Sequence, residues 1–191
     1  MTLDSNGYLT GTVNSLSSGL YQASQYYRLN SGYAGSNGTS AQSLFGVGVT
    51  LVGSTVYEFE AVIGLSKSAG TTSHTIALGF GGTATINNAM YTLIDWYSST
   101  GFIPTVTSAA ATQAIIQTVN STVITGANTS AALYVLLFIK GTVSVNAGGT
   151  FIPQYTLSAA PGGAYTTQAG SYMKIKPLSA SGANVNIGTW A

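Results

Sequence analysis

Glu58 and Glu60 stand two residues apart in a run that alternates apolar and polar side chains. On a strand this spacing puts both carboxylates on one face, about 6.5–7 Å apart at Cα. Such a pair suits the acid and nucleophile of glycoside hydrolysis, or a hard cation. It also suits the polar side of an outer strand, with the charges met by Lys67 or by a lysine of a neighbouring chain. The second reading is preferred, because hydrolysis further needs a cleft rich in hydrogen-bonding groups. His74 is the single histidine. Zinc sites draw three or four protein ligands, so one histidine is a poor start. A Ser-His-Asp arrangement would have to recruit Asp4 or Asp95, and no Gly-x-Ser-x-Gly elbow is present. His74 reads as a loop residue at the start of a strand. In Asp95-Trp96-Tyr97 a carboxylate lies beside aromatic rings, which can hold a sugar by hydrogen bonds at its edge and stacking on its face. The competing reading puts Trp96 in the core and Asp95 at the cap of the turn at Ser98-Ser99. Gly79-Phe80-Gly81-Gly82 and Gly148-Gly149 are turns, since neither leads into a Lys-Ser/Thr pair and a helix. These residues predict no catalytic group, no metal and no cofactor.

Composition points the same way. Charged residues make up 5% of the 191 positions, against about 25% in an average soluble domain. Hydrophobic residues make up 45%, and 12 tyrosines are present, so a core can form and disorder is not expected. There is no cysteine, which removes disulfides and thiolate metal sites. The net charge of +1 gives no reason to expect nucleic acid as a partner. The longest apolar run, Leu133 to Ile139, is far short of the ~18 residues of a spanning helix, so no membrane partner is expected. The N-terminus has neither the basic nor the apolar region of a signal peptide. Little charge also means little repulsion between copies, which suits a part built into an assembly.

The elements that would position these residues are strands. Residues 1–45 read as an arm rich in Ser, Asn and Gly, with a strand within 20–29 and turn composition over 31–41. In Thr55–Leu65 the residues Tyr57, Phe59, Ala61, Ile63 and Leu65 share one face, and Val56, Glu58, Glu60 and Val62 the other. Further strands are predicted at 74–80, at 83–86 and 90–96 as two pieces, at 115–119, at 150–159, and at 170–178 with Lys174 and Lys176 outward. The strongest signal is 132–146. Leu133, Val135, Leu137 and Ile139 lie on one side, Tyr134, Leu136 and Phe138 on the other, and both sides are apolar. Such a strand is covered on both faces. In one antiparallel sandwich the second cover must come from another chain or from the arm. The prediction is an all-β antiparallel β-sandwich or jelly roll over 46–178, with an extended N-terminal arm and a C-terminal tail over 179–191.

The stretch 140–154 (KGTVSVNAGGTFIPQ), followed by Ser158-Ala159-Ala160-Pro161-Gly162-Gly163 and by 169–175 (AGSYMKI), resembles a module of structural proteins from tailed bacteriophages. Residues 56–60 and 79–82 fit the same module, and the likeness spans roughly 42–178. It implies a trimeric jelly roll similar to tumour-necrosis-factor-like heads, as found in capsid decoration (cement) proteins and in tail and head fibres. No catalytic residue comes with it. The trimer agrees with the two-sided apolar strand, which puts the expected interface on Leu133, Tyr134, Val135, Leu136, Leu137 and Phe138, and the expected place is the capsid exterior of the virion. The arm, through Tyr21, Tyr26, Tyr27 and Arg28, would then contact the major capsid protein. The alternative is a fibre or receptor-binding head, whose glycan contact would fall on Asp95, Trp96 and Tyr97.

Overall fold

The computed structural model describes residues 2–3, 9–10, 24–102, 110–116 and 122–182. All regular elements among them are strands. They are β1 (Thr2–Leu3), β2 (Leu9–Thr10), β3 (Gln25–Arg28), β4 (Tyr33–Ala34), β5 (Gln42–Ser43), β6 (Val49–Leu51), β7 (Thr55–Lys67) and β8 (Ile76–Gly81). There follow β9 (Thr85–Ser98), β10 (Ala110–Ile116), β11 (Thr122–Val123), β12 (Leu133–Ala147), β13 (Gly149–Leu157), β14 (Thr166–Thr167) and β15 (Tyr172–Ala180). β1 and β2 pair only with each other.

The larger sheet runs β10-β9-β12-β7. The far edge of β7 is shared by β14, against Leu65–Ser66, and β15, against Thr55–Val62. β4 and β3 pair outside these two. The smaller sheet runs β11-β8-β13, with β5 and β6 sharing the far edge of β13. Every pairing is antiparallel, and the two sheets pack as the β-sandwich that the alternating strands predict.

The alternation decides which side chains meet. From β7 the residues Tyr57, Phe59, Ala61, Ile63 and Leu65 are buried between the sheets, and from β12 so are Leu133, Val135, Leu137 and Ile139. The centre is aromatic. Phe80 stacks on Phe151 at 4.7 Å between ring centres, and Phe59 meets Phe80 edge-on at 5.4 Å. Tyr91 closes the group, 5.4 Å from Phe80. Gly141 makes room for it: a Cβ there would lie 2.4 Å from that of Tyr91. Such rings bury large areas and prefer these offset and edge-on arrangements.

Three expectations change. The pieces at 83–86 and 90–96 are one strand, β9. The gap between the two pieces holds a bulge, since Asn88 pairs with Ser144 and Ile86 with Val145, leaving Asn87 as the extra residue. Its side chain donates to Ser144 Oγ at 3.3 Å. The strand expected at 115–119 is β10, earlier and longer at the front, and 117–119 lie outside the described residues. Finally, residues 24–45 are no free arm. β3, β4 and β5 join the two sheets, and Leu29, Leu44 and Phe45 enter the core. The sandwich therefore begins well before residue 46.

Pro153 sits inside β13 without breaking it. It faces Phe80 of β8 on one side, and on the other it falls between the β6 pairings at 149–151 and the β5 pairings at 154–155. A missing N–H is tolerated where one partner strand hands over to the next.

Neighbouring residues on β12 should respond differently to truncation. Leu137→Ala should cost about 2–5 kcal/mol, because it opens a cavity in a closed core. Leu136→Ala, on the half-buried opposite face, should cost less than half of that in the isolated chain. Denaturant midpoints of the two variants test the face assignment.

Candidate functional site

The outer face of the larger sheet gathers the solvent-reaching charges of the described residues. Arg28, Glu58, Glu60, Lys140, Lys174 and Lys176 all lie there, by their registers across β3, β15, β7 and β12. The only other charged side chains among the described residues, Lys67 and Asp95, are buried. The described surface elsewhere is uncharged.

The glutamates do not form a free carboxylate pair. Lys176 Nζ lies 2.9 Å from Glu58 Oε2, Lys140 Nζ 3.7 Å from Glu58 Oε1, and Lys174 Nζ 3.8 Å from Glu60 Oε1. The hydrogen bond from Lys176 is the main influence on Glu58. Together with the charges of Lys176 and Lys140 it outweighs partial burial and holds this carboxyl below its usual value. The partners come from β12 and β15 of the same chain. Lys67, the partner considered from sequence, is on the other side of the sheet. Its ammonium is buried and donates to the carbonyl oxygens of Ala69, Gly70, Ser130 and Ala131, and loss of water there lowers its pKa. It ties the turn after β7 to the segment before β12.

Beside the ionic ladder the same face turns apolar. Val62 of β7, Ile94 and Trp96 of β9, and Tyr134, Leu136 and Phe138 of β12 are each half-buried. Trp96 meets Phe138 edge-on at 5.0 Å, and Phe102 meets Tyr134 at 5.2 Å. Phe102 lies over Gly64, whose missing side chain leaves the space. A shallow basin of about 240 Å³ spans Val62, Ile94 and Phe138, with Glu60, Lys140 and Tyr172 at its rim.

Several sequence assignments are corrected by this geometry. Leu133, Val135 and Leu137 belong to the chain's own core, so of the six residues assigned to an interface only Tyr134, Leu136 and Phe138 face outward. Asp95 and Trp96 project to opposite faces, as adjacent strand residues must. Asp95 is fully buried opposite Leu137, and Tyr97 packs against the core. The three therefore make no common sugar platform. The turn they precede is capped by Ser98, whose Oγ accepts from Thr100 N at 3.1 Å. Tyr26, Tyr27 and Arg28 sit on β3, and Tyr21 lies outside the described residues.

His74 lies in the loop just ahead of β8, as the sequence predicts, and is buried there. Its Nδ1 donates to Thr72 O at 2.8 Å, which leaves Nε2 to accept from the Tyr165 hydroxyl at 2.6 Å. Tyr155 donates to Gln42 Oε1 at 2.9 Å nearby. Burial first, then the neighbouring phenols, pushes Tyr155 up to about 12 and Tyr165 further. Burial alone raises Tyr91 to about 12. A separate polar crevice of about 360 Å³ lies between Tyr97–Ser99 and Ala127–Ser130.

The chain matches no family model, no curated protein and no solved structure.

Two titrations test these environments. A depressed carboxyl stabilises the fold above its unfolded value and loses that contribution as pH falls through the folded one. The Glu58 contribution should thus begin to fall near pH 4.5, the ordinary value, and be gone once pH drops below the lowered folded one, and Glu58→Gln should flatten this acid limb by no more than about 1 kcal/mol, as the site is partly exposed. The tyrosines run the other way. Their raised values stabilise the fold below about pH 10 and lose this as pH climbs toward 12. The phenolate absorbance of Tyr91, Tyr155 and Tyr165 should appear together with loss of the sheet signal, not before it.

Proposed function

We propose that this chain is a structural protein of a tailed-phage virion, a capsid decoration protein that associates as a trimer and reinforces the shell from outside. One observation carries the assembly part. The central strand β12 presents Tyr134, Leu136 and Phe138 on a face that the described residues leave half-open, beside Val62, Ile94 and Trp96. An apolar centre with a charged margin is how association surfaces are built, and contiguous exposed apolar patches mark such surfaces. The ion pairs at the margin are satisfied within the chain, so covering the apolar part strands no charge. The virion setting comes from the resemblance of residues 42–178 to phage structural modules. The sparse charge supports a part that lives packed against neighbours.

The receptor-binding alternative keeps one observation in its favour. The crevice at Tyr97–Ser99 and Ala127–Ser130 combines an aromatic ring with hydroxyl and amide groups, the mixture that holds a sugar.

Light scattering should give the mass of three chains. Phe138→Lys should reduce it to one chain with the circular dichroism of the sheets unchanged, because a charge buried without a partner is costly. A monomer in the unsubstituted protein would remove the assembly reading. Binding to empty capsids stripped of this protein should follow; binding to host cells without binding to capsids would favour the receptor-binding head.

A further inference from the structure

The opposite margin of the larger sheet ends in β3, one side of which no described strand covers. It pairs with β15 and with no other strand among the described residues. All four of its residues are exposed, with Tyr26 at 58% and Tyr27 at 43%. Leu29 N donates to Ser171 O. Alternation along the strand then turns the N–H and C=O of Tyr27 toward β15, and those of Tyr26 and Arg28 toward the open edge.

The side chains alternate as well. Tyr27 points between the sheets, where its ring meets Phe45 edge-on at 5.9 Å. Tyr26 and Arg28 lie on the outer face, Tyr26 against Tyr172 at 5.6 Å. Directly below the open edge, between the sheets, is a cleft of about 190 Å³ lined by Tyr27, Phe45, Val47, Val49, Phe151 and Met173. Val47 at its mouth is 44% exposed. Among the described residues the guanidinium of Arg28 bonds to Asn30 Oδ1 of its own loop, and no described carboxylate pairs with it.

We propose that β3 is the docking edge for an extended segment of another polypeptide, one that alternates acidic and apolar side chains. The added strand would take its main-chain hydrogen bonds from Tyr26 and Arg28. Its residues on one side would fill the cleft, and an acidic residue on the other would face Arg28. Strand addition commonly works in this way, with backbone bonds giving affinity and alternate side chains giving specificity. The four cations of this face, Arg28, Lys140, Lys174 and Lys176, outnumber its two carboxylates, Glu58 and Glu60, and so favour an acidic partner. The proposal deepens the assembly reading and rests on it for the source of the partner, the shell beneath, but not for the partner's chemistry.

The test uses the full chain and a fluorescent synthetic peptide that alternates Glu with Val, followed by anisotropy. Saturable binding is expected. Arg28→Glu should weaken it at least about tenfold, and a peptide with Lys in place of Glu should recover the loss on that variant. Tyr26→Pro removes an N–H from the open edge while leaving the β15 ladder intact, so it should abolish binding with the unfolding midpoint nearly unchanged. Phe138→Lys should bind the peptide as well as the unsubstituted protein does, which separates this edge from the self-association face. The proposal is overturned if the peptide does not saturate by about 1 mM, if a scrambled peptide binds equally, or if Tyr26→Pro binds normally. It is also overturned if Tyr26→Pro lowers the mass of the protein alone, since the edge would then be occupied by a second copy.

Discussion

The pairing of β7 with β12 is the constraint on which the rest depends. It runs unbroken from Leu133 opposite Lys67 to Val145 opposite Thr55. Because side chains alternate along both strands, a one-residue slip would exchange the buried set for the outer set. A slip of β7 would carry Phe59 and Ile63 into water and bring Glu58 and Glu60 into the core; a slip of β12 would instead expose Val135 and Leu137. The register is therefore held by the whole difference between an aromatic interior and a charged margin. β9 and β15 each add to one side of this pair and inherit its division of faces.

The division was partly legible in the sequence. β7 and the first half of β15 could be read because apolar and polar residues alternate along them, and β12 because a strand-length apolar run leads on to the glycines at 148–149. The ion pairs could not. Glu58 meets Lys140 and Lys176, which are far away in sequence, and only the sheet order β12-β7-β15 brings them together. The same limit hid the role of β3, whose short polar segment has no pattern until β15 lies beside it. The Asp95-Trp96-Tyr97 error is of another kind. Adjacency in a strand separates side chains instead of joining them, and the alternation already visible in β9 was sufficient to say so. The place of His74 ahead of a strand was legible, but its burial was not, because Tyr165, 91 positions later, closes over it.

The buried polar groups follow a common economy. Lys67, His74, Tyr155 and Gln42 are satisfied mostly by backbone carbonyls or by one another, as a low-dielectric interior demands. They fasten loops to the ends of the sandwich, where the alternating pattern runs out and hydrophobic contact alone would leave the connections loose. A chain with so few charges can spare one lysine for this purpose because four carbonyl oxygens replace its water.

Segregating every described solvent-reaching charge onto one side of the sandwich gives the molecule a sense of up and down. A body with ions on one broad face and only amides, hydroxyls and hydrocarbon on the other has a field that points. Within a Debye length of about 10 Å, such a body approaching a charged surface is turned before it touches. The uncharged side, on β8 and β13, is left facing away.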